Sequence, residues 1–572
     1  MKKKWVVLMK KADFNGIGRK YGIDPVIARL IRNREVTGDE AIRKYLYGSP
    51  EDLYDPMLLK GMEEACGIIA DAVQRGRKIR VIGDYDIDGV MSSYILLTGL
   101  RVIGGNADVR IPNRMIDGYG LNANLVRAAK KDGKELIVTC DNGIAAAGAV
   151  ALAKELGMKT VVTDHHEVPF EQGDDGKRRY RLPGADSVID PKQEGCAYPF
   201  KELCGAGVAF KLVSALYDRF QIPQEKKEDL LQYVAFATVG DVVSLTDENR
   251  ILVREGLKRL RKTDNRGLAA LIRENELDPE RINSYQIGFV LGPCVNASGR
   301  LNTAARALKM LCAKTEEEAS ALAKDLIRLN KTRQDMTEQA ASEAYELVDS
   351  TGLSEDRVLV VHLPDCHESI AGIVAGRLRE RYYRPAIVLS GRGNKVKGSG
   401  RSIEGYDMFA EISACGGYLT KFGGHRMAAG MSLEEANIGP FRSALNRACT
   451  LTGDDLTEKV VIDVPMPVTY VTRELVRQLD LLEPFGTGNP KPVFAQSGLR
   501  AMQTRVFGKN RNVAKCRLVD ENGRAADAVY FGEADAFAEY VSTHGTISVI
   551  YYPAIDSYRG ADSLQMIIRE YE

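Results

Sequence analysis

The chain has 572 residues, 44% of them hydrophobic and 27% charged, with a formal net charge of +1. At roughly 100–200 residues per domain, that length calls for several domains of ordinary globular composition. The charge excludes a globally basic nucleic-acid binder, so such a partner must meet a local patch, and no stretch approaches the ~18 apolar residues of a membrane span.

Residues 1–55 carry no diagnostic motif and form an N-terminal segment; the apolar run Trp5–Met9 is too short for a signal-peptide core. Over 56–310 the first part alternates short β-rich runs, "IRVIG" (79–83), "ADVRI" (107–111), "LIVTC" (136–140), "TVVT" (160–163) and "SVI" (187–189), with helical stretches. That alternation predicts a parallel sheet covered by helices, its strands apolar because both faces are buried. The chain from about 205 to 310 reads as mainly helical. A long charged stretch at 315–348 without Pro or Gly predicts one helix, placed within a connector at 311–350. A second, smaller α/β domain spans 351–455, with strands "RVLVV" and "AIVLS" around the helix "SIAGIVAGRLRERY". Short apolar runs between Gly, Asn and Asp turns over 456–572 predict a small β-barrel or sandwich.

Ten cysteines are scattered without a C-x-x-C pair, Cys196 and Cys204 being the nearest two. They read as reduced, mostly buried thiols of a cytoplasmic protein, with neither a zinc site nor a disulfide framework. One local basic stretch, 376–401, holds Arg377, Arg379, Arg381, Arg384, Arg392, Lys395, Lys397 and Arg401 against one acid, Glu380. It fits a nucleic-acid patch or a solvated helix face followed by a lysine-rich edge strand.

The chemistry gathers after the strands of the first domain. "VIG" runs into Asp84, Asp86 and Asp88, "LIVTC" into Asp141, and "VVT" into Asp164, His165 and His166; Asp241 ends a later helical run. Ligands of parallel α/β sheets bind beyond the carboxyl ends of the strands, so these groups are expected at one edge. D-x-D-x-D-G also opens an EF-hand loop, but position twelve counted from Asp84 is Ile95 rather than Glu, and the preceding segment is a strand. Four or more acids with an imidazole exceed what one small cation uses and suit a pair of Mn²⁺ or Mg²⁺ ions. Two such metals ~3.5–4 Å apart activate water and steady both oxygens of a phosphoryl displacement. If the segment is extended, His165 and His166 point opposite ways, His166 then serving a substrate phosphate as donor or general acid while Asp164 orients an imidazole.

"DYDIDG", "CDNGI", "TDHHEVP" and "VGDVVSL" resemble, in order, the four motifs of the DHH phosphoesterase superfamily, and within it the chain is similar to the RecJ family of single-strand-specific 5′→3′ exonucleases. "IPNRMIDGYGL" (111–121), "CGAGVAFKL" (204–212), "NASGRL" (296–301) and "KGSGRSIEGYDMF" (397–409) carry the same resemblance. "FGGHRMAAG" (422–430) resembles the signature of the DHH-associated domain, and "LEPFGTGNPKPVF" (482–494) the entry to a C-terminal oligonucleotide-binding fold. The family's tryptophan, glycine and arginine positions are here Cys366, Ser369 and Cys294.

The resemblance implies that Asp84, Asp86, Asp88, Asp141, His165 and Asp241 hold two divalent cations, with Asp141, Asp164 and His166 catalytic and His166 on the scissile phosphate. Arg114, Asn296, Arg300, Ser399, Arg401, Ser402, Gly424 and His425 would bind the strand; arginine forks phosphate, and glycine loops bring backbone N–H groups to an anion. It further implies single-stranded DNA as substrate in repair and recombination, a helicase and a single-strand-binding protein as partners, and a monomer. In the barrel, Phe507, Tyr530, Tyr551 and Tyr552 are candidate base stackers, although most barrel aromatics are core. A phosphodiesterase of short oligonucleotides or cyclic dinucleotides is the alternative, and a catalytically inactive scaffold a third reading, which would be expected to lose metal-site acids that this chain keeps.

Overall fold

The structure is a computed structural model, and it describes residues 3–113, 118, 120–173, 177–301, 303–556 and 562–572. The first domain is built on five parallel strands ordered Asn106–Arg110, Lys78–Ile82, Leu136–Cys140, Lys159–Thr163 and Ser187–Ile189. Leu136–Cys140 is buried at every residue, and Lys78–Ile82 and Lys159–Thr163 at all but the first, which is why the sequence shows no alternation there. The chain leaves Lys78–Ile82 for one sheet edge and returns to its other side at Leu136–Cys140. The topological switch point therefore lies between those two strands, and Asp84 and Asp141 emerge there. Helix Ile87–Val102 is apolar nearly all round because helices Gly205–Arg219 and Leu231–Gly240 cover the side turned from the sheet.

Helix Glu316–Ser350 joins two cores. Ala319, Ala323 and Leu326 pack into the first domain, and Ala340, Ala341, Ala344 and Val348 into the second. The second domain is a five-stranded mixed sheet ordered Lys421–His425, Ala428–Leu433, Val396–Arg401, Ala386–Ser390 and Leu359–His362, flanked by helix Glu368–Tyr382. The C-terminal strands close into a barrel, because Phe494–Phe507 pairs both with Val513–Val519 and, across the seam, with Ile547–Asp556.

The described N-terminal residues pack against the C-terminal region. Strand Lys4–Val7 pairs in parallel with Lys459–Ile462, and Ile27, Leu30 and Ile31 of helix Pro25–Asn33 share a core with Leu475, Phe494 and Tyr551 of the barrel region. Asn489 fastens this junction: its Oδ1 accepts from Arg34 Nε (2.8 Å) and the Tyr45 hydroxyl (2.9 Å), and its Nδ2 donates to the carbonyls of Leu482 and Pro484. Arg250, buried, donates to the carbonyls of Tyr45, Leu481 and Leu482 and so ties the first domain to the same point. All ten cysteines are free thiols, and among the described residues no helix is long and apolar enough to cross a membrane.

Candidate metal centre

Each acid is delivered by a backbone feature. Asp86 caps helix Ile87–Val102, its carboxylate accepting from Gly89 N at 3.0 Å. Asp88, two residues on, is buried and accepts from Gly205 N (2.6 Å) and Ala206 N (2.7 Å), the first amides of helix Gly205–Arg219. A Cβ on Gly205 would lie 2.6 Å from the Asp141 Cβ, so only glycine lets that helix end approach. Asp141 sits at φ 59°, a strained position for a non-glycine residue and of the kind found at functional sites. Asp241 is the C-terminal cap of helix Leu231–Gly240.

These residues meet in three overlapping groups, each with donor atoms mutually within 4.8 Å: Asp84, Asp86 and Asp141; Asp88, His165 and Asp241; Asp141, His165 and His166. His165 Nε2 lies 3.1 Å from Asp141 Oδ1 and 3.6 Å from Asp88 Oδ2. Asp164 stands apart as an organiser: its Oδ1 accepts from His165 N (2.8 Å) and pairs with His166 Nδ1 (2.7 Å), and its Oδ2 accepts from Ile144 N (2.9 Å).

The electrostatics are those of crowded carboxylates that favour a bound cation. Burial, then Asp86, pushes the Asp84 carboxyl up to about 8 and that of Asp88 to about 6; burial, then Asp88, raises Asp241 to about 8 and Asp141 well above the usual range. Burial and the His166 charge lower His165 to about 3, so it is a neutral imidazole fit for ligation. Burial works against a charge on His166, but Asp164 outweighs it and raises His166 to about 9. The Asp84 Oδ1 is buried with no hydrogen-bond partner. An orphaned carboxylate oxygen among hard oxygen donors and one neutral imidazole fits Mn²⁺ or Mg²⁺.

Beside the cluster, a cleft of about 520 Å³ is lined by Tyr85 and Arg300 from the first domain and Lys397, Ser399, Arg401 and Lys421 from the second. Arg300 Nη1 donates to the Ser369 carbonyl (2.9 Å), bridging the two, and Arg401 Nη1 donates to Ser399 Oγ (3.1 Å). The other expected strand contacts are placed differently. Asn296 Oδ1 accepts from Ile87 N at 2.8 Å and so caps the helix that carries Asp88. Ser402 is fully buried, its hydroxyl given to the Tyr406 carbonyl. Gly424 and His425 are exposed on strand Lys421–His425, outside the cleft lining. Arg114 lies outside the described residues. The rings of His165 and His166 sit together, centroids 4.4 Å apart, because the strand ends at Thr163 and extended-chain alternation no longer applies. Tyr551 and Tyr552 are core residues, the Tyr551 hydroxyl bonded to the Met466 carbonyl, whereas Phe507 is exposed and Tyr530 half-buried against Phe537. In the basic stretch, ion pairs to Glu380, Asp349, Asp365 and Glu368 occupy Arg379, Arg381, Arg392 and Lys397.

Three participants escaped the sequence reading. Gly205 and Ala206 act through backbone amides, which no side-chain pattern reveals. Asp190, at the end of the last strand, is buried with its Oδ2 unpartnered and its carboxyl pushed by burial to about 7; an Asp-Pro pair after a strand was its signal.

The amino-acid sequence matches the DHH family, N-terminal domain over 78–238, the DHHA1 domain over 355–451 and the RecJ OB domain over 462–570. A Bacillus subtilis (strain 168) protein named single-stranded-DNA-specific exonuclease RecJ is 37% identical over 552 residues, 96% of this chain and 68% of that one. The chain belongs to the RecJ family. The Escherichia coli (strain K12) RecJ is 34% identical over 567 residues, 96% of this chain and 95% of the relative. The crystal structure of RecJ in complex with Mn²⁺ from Thermus thermophilus superposes with a TM-score of 0.84 at 26% identity, covering 100% of this chain and 79% of that chain; the Mg²⁺ form gives 0.78. RecJ relatives thus take up the two ions for which the acids here are suited, and the fold is the RecJ fold of DHH domain, connecting helix, DHH-associated domain and oligonucleotide-binding barrel.

Proposed function

We propose that the chain is a two-metal hydrolase that removes nucleotides from the 5′ end of single-stranded DNA. The observation that carries the reading is the convergence of Asp84, Asp86, Asp88, Asp141, His165 and Asp241 on one sheet edge, beside a cleft holding Arg300 and Arg401. Asp84, Asp86 and Asp141 would hold one cation and Asp88, His165 and Asp241 the other, and Asp141 also approaches His165 at 3.1 Å. Bound there, the cations supply a lowered water pKa and neutralise charge at the phosphoryl group.

The chain's own side chains do the rest. Asp164 keeps His166 protonated at neutral pH, so the imidazolium can donate to a scissile-phosphate oxygen as charge develops. The amides of Gly205 and Ala206 fix Asp88, and Asn296 fixes the helix bearing it. Arg300, Ser399 and Arg401 hold phosphates toward the 5′ end. The trailing strand would lie on the barrel, where exposed Phe507 and Phe531 and the cross-strand pair Arg505 and Lys515 combine flat rings with positive charge. A role in repair and recombination in the cytoplasm, as a monomer working beside a helicase and a single-strand-binding protein, completes the reading. The barrel disfavours a dinucleotide-sized substrate, and the intact acid set disfavours an inactive scaffold.

Degradation of 5′- and 3′-labelled single strands and duplexes with Mn²⁺, Mg²⁺ or chelator tests this. Mononucleotide release from the 5′ label of the single strand alone, abolished by chelator and by Asp86→Ala, is expected; metal-independent cleavage, or equal loss of duplex, overturns it.

A further inference from the structure

A cavity of about 710 Å³ opens at the end of helix Ile87–Val102 opposite the metal cluster. The helix has 16 residues, so about 24 Å separates its two ends. Tyr85 of the cleft stands at the metal end, and Arg101 and Val102 line the cavity at the other. Helix Leu231–Gly240, which ends at Asp241 of the cluster, starts in the cavity wall at Leu230. The walls are braced by Asn265, whose Nδ2 donates to the Tyr94 hydroxyl (2.9 Å) and to the Leu311 carbonyl (2.9 Å) and so joins three helices.

The lining carries six cations, Arg101, Lys226, Lys258, Arg259, Lys262 and Arg266, against two acids, Asp229 and Asp264. The whole chain carries only +1, so this is a local concentration of charge. Glu255 occupies Lys258, and Glu228 and Asp229 occupy Arg259. Arg101, Lys262 and Arg266 are exposed and make no ion pair among the described residues. Helix dipoles account for some of the six: Arg101, Lys258 and Arg259 stand in the last turns of helices Ile87–Val102 and Asp247–Leu260, where a cation is favoured. They do not account for Arg266, which opens helix Arg266–Glu274, where the dipole disfavours a cation and, together with the guanidinium, favours an anion. Behind the charged rim the lining turns aromatic and apolar. Tyr233 and Leu311 are buried and Tyr94 is half-buried, with the two tyrosine ring centroids 4.6 Å apart.

We propose that this cavity binds a small ligand carrying a di- or triphosphate group, with Arg101, Lys262 and Arg266 taking the phosphates. Three uncompensated cations exceed what one monoanion neutralises and match a chain of phosphates. Arginine forks phosphate oxygens in bidentate fashion, and lysine adds a compact point charge. The volume lies within the range of small-ligand pockets. An inorganic polyphosphate and a nucleoside triphosphate offer the same chemistry, the second also bringing a base to the Tyr94 and Tyr233 rings. Because the cavity and the cleft lie at opposite ends of one helix, the ligand and a nucleic-acid strand bind without displacing each other. The site is independent of the exonuclease reading.

Calorimetry of the full chain in chelator, which keeps metal-bridged phosphates off the acids, reads the binding of inorganic triphosphate and of adenosine triphosphate. One saturable equivalent is expected. Lys262→Gln/Arg266→Gln, at two exposed positions outside the metal centre and the cleft, weakens it roughly tenfold to a hundredfold. Arg401→Ala, which alters the cleft, and saturation with a single strand leave it unchanged. Tighter binding of the nucleoside triphosphate assigns its base to the tyrosine rings, equal binding assigns the phosphates alone, and both support the site. Cys312 gives a readout without substitution, because it lines the cavity and is the one exposed thiol of the ten. Bound ligand slows its alkylation by a maleimide, followed by mass spectrometry, while the half-buried Cys196 and Cys366 react as before. No saturable binding, loss of binding through Arg401→Ala, displacement by the single strand, or a Cys312 that stays unprotected overturns the site.

Discussion

Asp164 Oδ1 lies 2.7 Å from His166 Nδ1, and the same oxygen accepts the backbone N–H of His165 at 2.8 Å. One carboxylate thus sets the backbone of the two histidines and the charge of the second. Although burial favours its neutral form, the His166 hydrogen bond and charge hold Asp164 below the usual carboxylate range. Asp164→Asn keeps the shape and removes the charge. Activity is expected to fall about 10- to 100-fold, as for other supporting carboxylates. His166, no longer held near 9, then loses its proton at lower pH, so the alkaline limb of the kcat/KM profile moves toward acid. Mn²⁺ affinity, read by calorimetry, is retained. An unmoved alkaline limb would show that His166 is not the group being titrated.

Removing the metals exposes the repulsion among the acids. In the metal-free chain Asp88 titrates near 6 and Asp84 and Asp241 near 8, all above the ~3.9 of an unfolded aspartate. Between about pH 4 and 8 the folded state therefore binds more protons than the unfolded state, and stability falls as pH rises. Chelated protein is expected to melt at a higher temperature at about pH 5 than at about pH 8. Mn²⁺ reverses the trend, because it binds the deprotonated carboxylates and stabilises more at the higher pH. Thermal melts across that window, with and without Mn²⁺, measure both slopes; parallel curves would place the metals elsewhere.

Gly372 offers a clean lever on the cleft. A Cβ there would lie 2.7 Å from Arg401 Nη2 and 2.8 Å from Ser399 Oγ, both ends of side chains that can move. Gly372→Ala is thus expected to fold normally while displacing Arg401 from its place over the cleft. KM for a 5′-phosphorylated strand rises, kcat changes little, and the slope of log affinity against log salt drops by about one contact, as it does for Arg401→Ala. Combining the two substitutions adds nothing if they act on the same phosphate contact.

How much of this was legible in the sequence follows from where the information lies. The five strands of the first sheet fall within a residue or so of their expected places, the three central ones because a doubly covered parallel strand is nearly continuously apolar, whereas the edge strand Asn106–Arg110 is only partly buried. The acids were legible because each directly follows such a strand or ends a helix. What could not be read was contact made by backbone or set by distant packing. Gly205 and Ala206 grip Asp88 through amides, Asn296 is spent on a helix cap, and Ser402 turns inward, although each lies in a segment resembling the family's sequences. The N-terminal helices carry no motif, and their role appears only where Arg34 and Tyr45 meet a residue more than 400 positions away.

That residue, Asn489 of "GTGNP", is a stability rather than a catalytic position. All four of its side-chain bonds are internal, to Arg34 Nε, the Tyr45 hydroxyl and the carbonyls of Leu482 and Pro484. Asn489→Ala removes these partners from Arg34 Nε, the Tyr45 hydroxyl and the Pro484 carbonyl, while the Leu482 carbonyl keeps Arg250, and the cost is about 2–4 kcal/mol after partial relaxation. The loss falls on the unit formed by the N-terminal helices and the barrel, since Arg34 and Tyr45 stand on one side of the junction and Leu482 and Pro484 on the other. Calorimetry is expected to show the barrel transition moving to lower temperature while that of the DHH-associated domain stays in place. Cleavage of a 5′-phosphorylated single strand persists below the new transition, because the metal centre lies in a different core from Asn489. A barrel transition that does not move would mean that the N-terminal helices are held by apolar packing alone.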